Sequence, residues 1–218
     1  MKQILIYSDS LTWGLIPATR KRLSFDKRWP GVFETNLNKL GHDIRVIENC
    51  LNGRRTVWSD PFKEGRDGSD GLAQVIEMNS PLALVILMLG TNDFQDTHDN
   101  NAWLSAQGMA KLITIVRQAP IEPDMPIPEI MIIAPPVITQ PKGSIAMKFK
   151  GSEKRCMGLS HELEIVSKEY STLFFDASLI IETSSIDGIH LDENTHQKLG
   201  LEIAQAVSNG GILNNDNS

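Results

Sequence analysis

The run Ala83-Leu84-Val85-Ile86-Leu87-Met88-Leu89 has no polar residue at any position. Side chains of a strand alternate between two faces, so a strand with no polar face needs cover on both sides. A parallel sheet between two helical layers provides it. Residues 3–7, 43–48, 82–89, 129–134 and 172–175 read as five such strands, each short, rich in aliphatic or aromatic residues and flanked by breakers. Between them apolar residues recur at helical spacing, as in Trp29, Val32, Phe33, Leu37 and Leu40, a run that Gly41 ends. Further helices are expected near 71–78, 102–117, 153–170 and 194–208, the last packed through Leu199, Ile203 and Val207. The alternation predicts a three-layer α/β/α sandwich on a five-stranded parallel sheet.

A chain of 218 residues can bury a full core as one domain, and residues 1–208 read as that domain. The tail, 209–218, is rich in asparagine and glycine and is expected to fray. Seven of the eleven prolines lie between Pro120 and Pro141, which places loops on both sides of the fourth strand. The segment 139–151 reads as a substrate-side loop, with Met147 and Phe149 as candidate pocket lining. A net charge of −6 repels polyanions, so nucleic acid is not an expected partner, and Arg20-Lys21-Arg22 reads as a solvated loop. Cys50 and Cys156 are too few for a disulfide framework and form no Cys-x-x-Cys pair. The apolar run after Lys2 is too short for a signal peptide. Reduced thiols and a cytoplasmic location are therefore expected. The longest apolar stretch is well short of the roughly 20 residues that span a bilayer, so no membrane span is expected. A homo-oligomer is compatible with the sequence, though nothing in it requires one.

In an open parallel sheet, ligands bind outside the carboxyl ends of the strands. Ser10 follows the first strand, Gly53 the second, Gly90-Thr91-Asn92-Asp93 the third and Asp187-Gly188-Ile189-His190 the fifth. A serine hydroxyl becomes a nucleophile when a base takes its proton, and imidazole suits that task. His190 is the candidate base, and Asp187, three residues earlier, could orient it. Acyl transfer also needs donors for a developing oxyanion, for which the Ser10 N–H, the Gly53 N–H and the Asn92 carboxamide are candidates. Taken singly these residues have plainer readings: Asp-x-x-His as a loop hydrogen bond, Asn92 as a turn residue.

Ser8-Asp9-Ser10-Leu11, Gly53, Gly90-Thr91-Asn92-Asp93 and Asp187-Gly188-Ile189-His190 together resemble the four blocks of the SGNH (GDSL) hydrolase superfamily, in that family's order. Thr12-Trp13-Gly14 and Met88-Leu89 extend the likeness toward its bacterial arylesterase and acyltransferase branch, and the resemblance runs from about residue 3 to 208. It implies a flavodoxin-like fold and a serine esterase acting on small esters, with Ser10 as nucleophile, His190 as base and Asp187 as orienting acid. Ser10, Gly53 and Asn92 would form the oxyanion hole, and Asp9 and Asp93 would hold loops together. One departure is Ser8, where the family has glycine, and a changed turn is expected there. Trp13 is a candidate wall of the substrate pocket, weighed against the commoner role of a large aromatic in the core. The chemistry calls for no cofactor, and Asp60, Asp67, Asp70 and His98 do not have metal-ligand spacing. His42, His98, His161 and His196 read as solvated or structural.

Two rival readings stand beside the small-ester hydrolase, which could also transfer acyl groups to alcohols. One keeps the chemistry and changes the substrate to an acetylated carbohydrate or a lysophospholipid. The other is a flavodoxin-like binding module in which Ser8, Ser10, Thr12 and Gly14 cradle a phosphate. It leaves Asp187, His190 and Asn92 without a task.

Overall fold

The computed structural model describes residues 1–213. Five strands, β1 (Lys2–Ser8), β2 (Ile44–Cys50), β3 (Leu84–Met88), β4 (Glu129–Ala134) and β5 (Leu173–Asp176), form one sheet. All neighbours pair in parallel, in the order β2-β1-β3-β4-β5. This is the flavodoxin-like order, with its reversal at β1. Among the described residues seven α-helices accompany the sheet: α1 (Ser10–Trp13), α2 (Trp29–Lys39), α3 (Leu72–Asn79), α4 (Ala102–Arg117), α5 (Ser152–Arg155), α6 (Leu159–Glu169) and α7 (Glu193–Asn209).

The apolar third strand is buried on both faces, as its composition requires. Leu84, Ile86 and Met88 join Trp29, Phe33 and Leu37 of α2 and Leu199, Ile203 and Val207 of α7 in one core. Val85 and Leu87 join Leu72 and Ile76 of α3, Met109 and Ile113 of α4, and Leu163 and Val166 of α6 in the other. Burying one such aliphatic side chain stabilises the fold by about 1.5–3 kcal/mol relative to leaving it in water. Both helical layers therefore contribute to holding β3 in place.

Three details differ from the sequence reading. The helix expected over 153–170 is two helices, because Gly158 takes a left-handed φ of 87° at the start of α6 and breaks the run. Leu40 lies beyond the last turn of α2 as its C-cap and is exposed, so the packed stripe ends at Leu37. Leu213 is buried in the α2/α7 core, so the fraying expected from 209 onward does not include it; 214–218 lie outside the described residues. Among the described residues no helix is long and apolar enough to cross a membrane.

Register sets up the site. Ser8 pairs with Cys50 of β2 and with Met88 of β3, so the three strands end side by side and release their loops at one edge. Ser8 finishes β1 without a positive φ, so its backbone does not demand glycine and no altered turn is needed. Its hydroxyl donates to Met88 O at 2.6 Å and accepts from Thr12 Oγ1 at 2.6 Å, while Trp29 Nε1 donates to Thr12. The residue that departs from the family pattern thus ties β1 to β3 and to α1.

Candidate active site

The first turn of α1 fixes Ser10. Asp9 is its N-cap, and the Asp9 carboxylate accepts from Leu11 N at 2.9 Å. Ser10 Oγ lies 3.2 Å from His190 Nε2, across 180 residues of sequence. His190 Nδ1 lies 2.8 Å from Asp187 Oδ2. A carboxylate only accepts, so Nδ1 carries the imidazole proton and Nε2 is free to accept from the serine. All three residues are buried.

The 187–190 loop is built to hold that geometry. Asp187 Oδ1 accepts from Ile189 N at 3.0 Å and His190 N at 2.9 Å, and Oδ2 also accepts from Ala18 N at 3.3 Å. Burial would raise the Asp187 carboxyl, but the hydrogen bonds from the His190 ring and backbone, the imidazole's charge and the Ile189 N–H outweigh it and hold the carboxyl at about 2. Gly188 has a φ of 76°, and a Cβ there would lie 2.3 Å from Gln140 O, so only glycine fits. Thr139 N donates to Gly188 O and Lys142 N to Asp187 O, which makes the segment after β4 a brace for this loop.

Gly53 lies in the loop after β2, stitched to β1 by Leu51 N and Arg54 Nη1, which both donate to Ser8 O. A Cβ on Gly53 would come no closer than 3.8 Å to its nearest neighbour, Arg66; glycine is required there by its φ of 86°. Among the described residues neither the Ser10 N–H nor the Gly53 N–H donates to a protein acceptor. Asn92 stands in the short helical turn Thr91–Phe94, and its Nδ2 donates to Asp9 Oδ2 at 2.8 Å, which keeps a second N–H for another acceptor. The imidazole is placed to accept the Ser10 proton, and the Ser10 N–H, the Gly53 N–H and the second Asn92 Nδ2–H have no protein acceptor among the described residues.

Asp9 and Asp93 both lie at full burial and link loops. Asp9 joins α1 to Asn92, and Asp93 accepts from Thr56 N and Oγ1 and from Ser105 Oγ. Burial pushes both carboxyls up to about 6, against the lowering effect of these hydrogen bonds. Cys50, beside Ser8, has its thiol raised far above the usual range by burial and is therefore a poor nucleophile. His196 is fully buried in α7, where its Nδ1 accepts from Trp29 N, and burial drives its pKa down to about 3. Among the described residues no group of three His, Cys, Asp or Glu side chains is placed to hold a metal ion.

Trp13 is half-buried, with the Arg22 guanidinium 4.8 Å over its ring. A small apolar cavity of about 70 Å³ lies at the same sheet edge, lined by Thr91, Phe94, Pro135, Val137, Ile138 and Leu159. Neither Trp13 nor the two residues expected to line a pocket takes part in it. Phe149 is buried in the core shared with α3, α4 and α6, and Met147 points to solvent. Two contributors were not legible in sequence: Ala18, whose backbone N–H reaches Asp187, and Gln95, whose Nε2 donates to Asn92 Oδ1 at 2.6 Å. The spacing of Gln95, three residues after Asn92 in a tight turn, was the available signal.

The comparisons identify the family and the fold. Residues 9–198 match the model of the GDSL-like lipase/acylhydrolase family. The inhibitor-bound aryl esterase of M. smegmatis is 32% identical, with a TM-score of 0.90, over 96% of this chain and 99% of that one. Est24, a carbohydrate acetylesterase from Sinorhizobium meliloti, is 32% identical with a TM-score of 0.89 over the same shares, 96% and 99%. A second carbohydrate acetylesterase family member from that organism is 31% identical with a TM-score of 0.90, over 98% and 100% of the two chains. No curated protein matches the chain. With its fold, strand order and family blocks in agreement, the chain belongs to the GDSL-like lipase/acylhydrolase family and is a carboxylic ester hydrolase.

Proposed function

We propose that the enzyme hydrolyses small carboxylic esters through a Ser10 acyl-enzyme. The observation that carries this reading is the hydrogen-bonded chain Ser10–His190–Asp187, with contacts of 3.2 and 2.8 Å and a proton polarity fixed by the carboxylate. Ser10 Oγ attacks the ester carbonyl as its proton passes to His190 Nε2. Asp187 stabilises the imidazolium that forms. The tetrahedral oxyanion accepts from the N–H groups of Ser10 and Gly53 and from Asn92 Nδ2. Its collapse breaks the bond to the alkoxy oxygen, which leaves as the alcohol with the proton from His190. Water then gives a proton to His190 and its oxygen attacks the acyl carbonyl. Ser10 leaves and takes that proton back, releasing the carboxylic acid. An alcohol in place of water would make the same step an acyl transfer.

The aryl esterase relatives support a small ester as the substrate. The acetylesterase relatives support a second substrate, an acetylated carbohydrate, on the same chemistry. Trp13 is retained as a wall of the acyl or alcohol pocket, and residues 1–208 as the catalytic unit. The unpaired Cys50 and Cys156 and the net charge of −6 support a reducing, cytoplasmic setting and a small-molecule partner rather than nucleic acid. The reading is tested with a serine-directed fluorophosphonate followed by peptide mapping, beside turnover of an aryl acetate by Ser10→Ala. A label on Ser10 and loss of turnover in a folded variant are expected; near-normal turnover by that variant removes Ser10 from the mechanism.

A further inference from the structure

Arg55 is the largest fully buried charged side chain among the described residues, and it lies off the reacting atoms. Its Nη1 donates to Ser59 O at 2.8 Å, and its Nη2 donates to Thr97 Oγ1 at 2.6 Å and to Gln95 Oε1 at 2.7 Å. Asp60 Oδ2 lies 3.6 Å away. Gln95 Nε2 then donates to Asn92 Oδ1 at 2.6 Å, and Asn92 Nδ2 to Asp9 Oδ2 at 2.8 Å. The four side chains form one line that runs from a guanidinium to a carboxylate beside Ser10.

The ends of that line have fixed polarity. A guanidinium has donors and no acceptor, and an ionised carboxylate has acceptors and no donor. Each carboxamide between them could in principle be turned by 180°, which would exchange its donor and acceptor. With Arg55 at one end, the Gln95 atom facing it must be the oxygen, so the Gln95 nitrogen faces Asn92. The Asn92 oxygen must then face Gln95, and its nitrogen faces Asp9. A buried carboxamide turned the wrong way would set donor against donor at Arg55 and leave polar groups unpaired.

We propose that Arg55 and Gln95 are positioning residues which, by fixing the amide of Asn92, keep its second Nδ2–H available to the substrate's carbonyl oxygen. The inference rests on the reading of Asn92 as an oxyanion donor. Arg55 is the firmer end of the line. Burial raises the Asp9 carboxyl to about 6, so in mild acid Asp9 gains a proton and can donate as well as accept. Arg55 keeps its charge at any working pH. The Gln95 amide also isolates Asn92 from the guanidinium itself, so the donor at the reacting atoms stays a neutral amide.

The test is a double-mutant cycle on aryl acetate hydrolysis with Asn92→Ala, Gln95→Glu and their combination. Glutamate keeps a partner for Arg55 but presents an acceptor to Asn92 Oδ1, which turns the Asn92 amide and removes its donor from the substrate side. Asn92→Ala is expected to lower kcat by about 10²–10³-fold. Gln95→Glu is expected to lower kcat by about tenfold or more with KM within about threefold, and to cost less than about twofold in the Asn92→Ala background. Gln95→Met, whose thioether has no donor for Asn92 Oδ1 and is only a weak acceptor for Arg55, provides the same comparison where Gln95→Glu does not fold. If Asn92→Ala costs its full amount while the Gln95 variants leave kcat within about twofold, the positioning role is wrong and the oxyanion reading survives. An equal loss from Gln95→Glu in both backgrounds overturns the proposal as well, because it marks a general structural effect. An Asn92→Ala variant within about threefold of the parent refutes the oxyanion reading and the inference together.

Discussion

Replacing Asp187 with asparagine changes one atom of the proposed catalytic site and reverses the direction of its proton chain. Asp187 Oδ1 accepts from two backbone N–H groups, those of Ile189 and His190. Only an oxygen can serve both, so the asparagine carbonyl takes that place and its Nδ2 faces His190 Nδ1, 2.8 Å away. The amide donates to Nδ1, the ring proton moves to Nε2, and the imidazole then presents a donor to Ser10 Oγ. It cannot take the serine's proton. A tautomer error of this kind lowers kcat by about 10⁴-fold in a comparable triad, with little change expected in KM.

The same substitution carries a stability signature. The folded Asp187 carboxyl is held at about 2 against 3.8 in the unfolded chain, a difference equivalent to about 2 kcal/mol. Because the folded value is the lower one, this stabilisation is present above pH 3.8 and is lost as pH falls through about 2, with about 1 kcal/mol gone at pH 3. An asparagine side chain does not titrate, so the stability of Asp187→Asn should fall by about 1 kcal/mol less than the parent's between pH 7 and pH 3. Steady-state kinetics and urea unfolding at the two pH values measure both effects. A kcat reduced by less than about tenfold would refute the tautomer argument.

His196 is held neutral by burial at about 3, below its unfolded value of 6.5, so its stabilisation is present above pH 6.5 and is lost as pH falls toward 3. Asp9 and Asp93 run the other way: with folded values of about 6, their burial cost is largest above pH 6 and is relieved as pH falls toward 3.8. Removing the imidazole with His196→Leu should therefore make the change in stability from pH 7.5 to pH 5 more favourable by about 2 kcal/mol than in the parent. An equal change in stability between the two pH values in both proteins would show that His196 does not titrate on unfolding. Gly188→Ala, with its Cβ driven against Gln140 O, is expected to lose more than about 2 kcal/mol of stability and to lower kcat by displacing His190. A variant with parental stability and turnover would show that the loop has room to yield.

The strands are legible because a fully apolar β3 leaves no other cover than two helical layers, and β4 and α4 fall on their expected residues. The break before α6 is not, since one glycine in a helical pattern signals a break only when its φ is known. Phe149 departs from its expected place because a proline-rich flank suggests an open loop, whereas packing makes this aromatic part of the core. Ser10, Gly53, Asn92, Asp187 and His190 can be nominated because each follows the carboxyl end of a strand or carries a recognisable block.

The sequence by itself determined the layer architecture, the family and the residue types at the sheet edge, because hydrophobic period and motif order are local properties. Only the tertiary structure decided that Ser8 is a tie between strands and that Gly53 is glycine for its φ. It also decided that Asn92 is held from behind by Gln95 and Arg55. The Ser8 and Asn92 relations depend on which donor faces which acceptor, between residues close in the chain and residues far apart in it. Hydrogen-bond polarity of that kind is fixed by three-dimensional register and burial, and no local pattern encodes it.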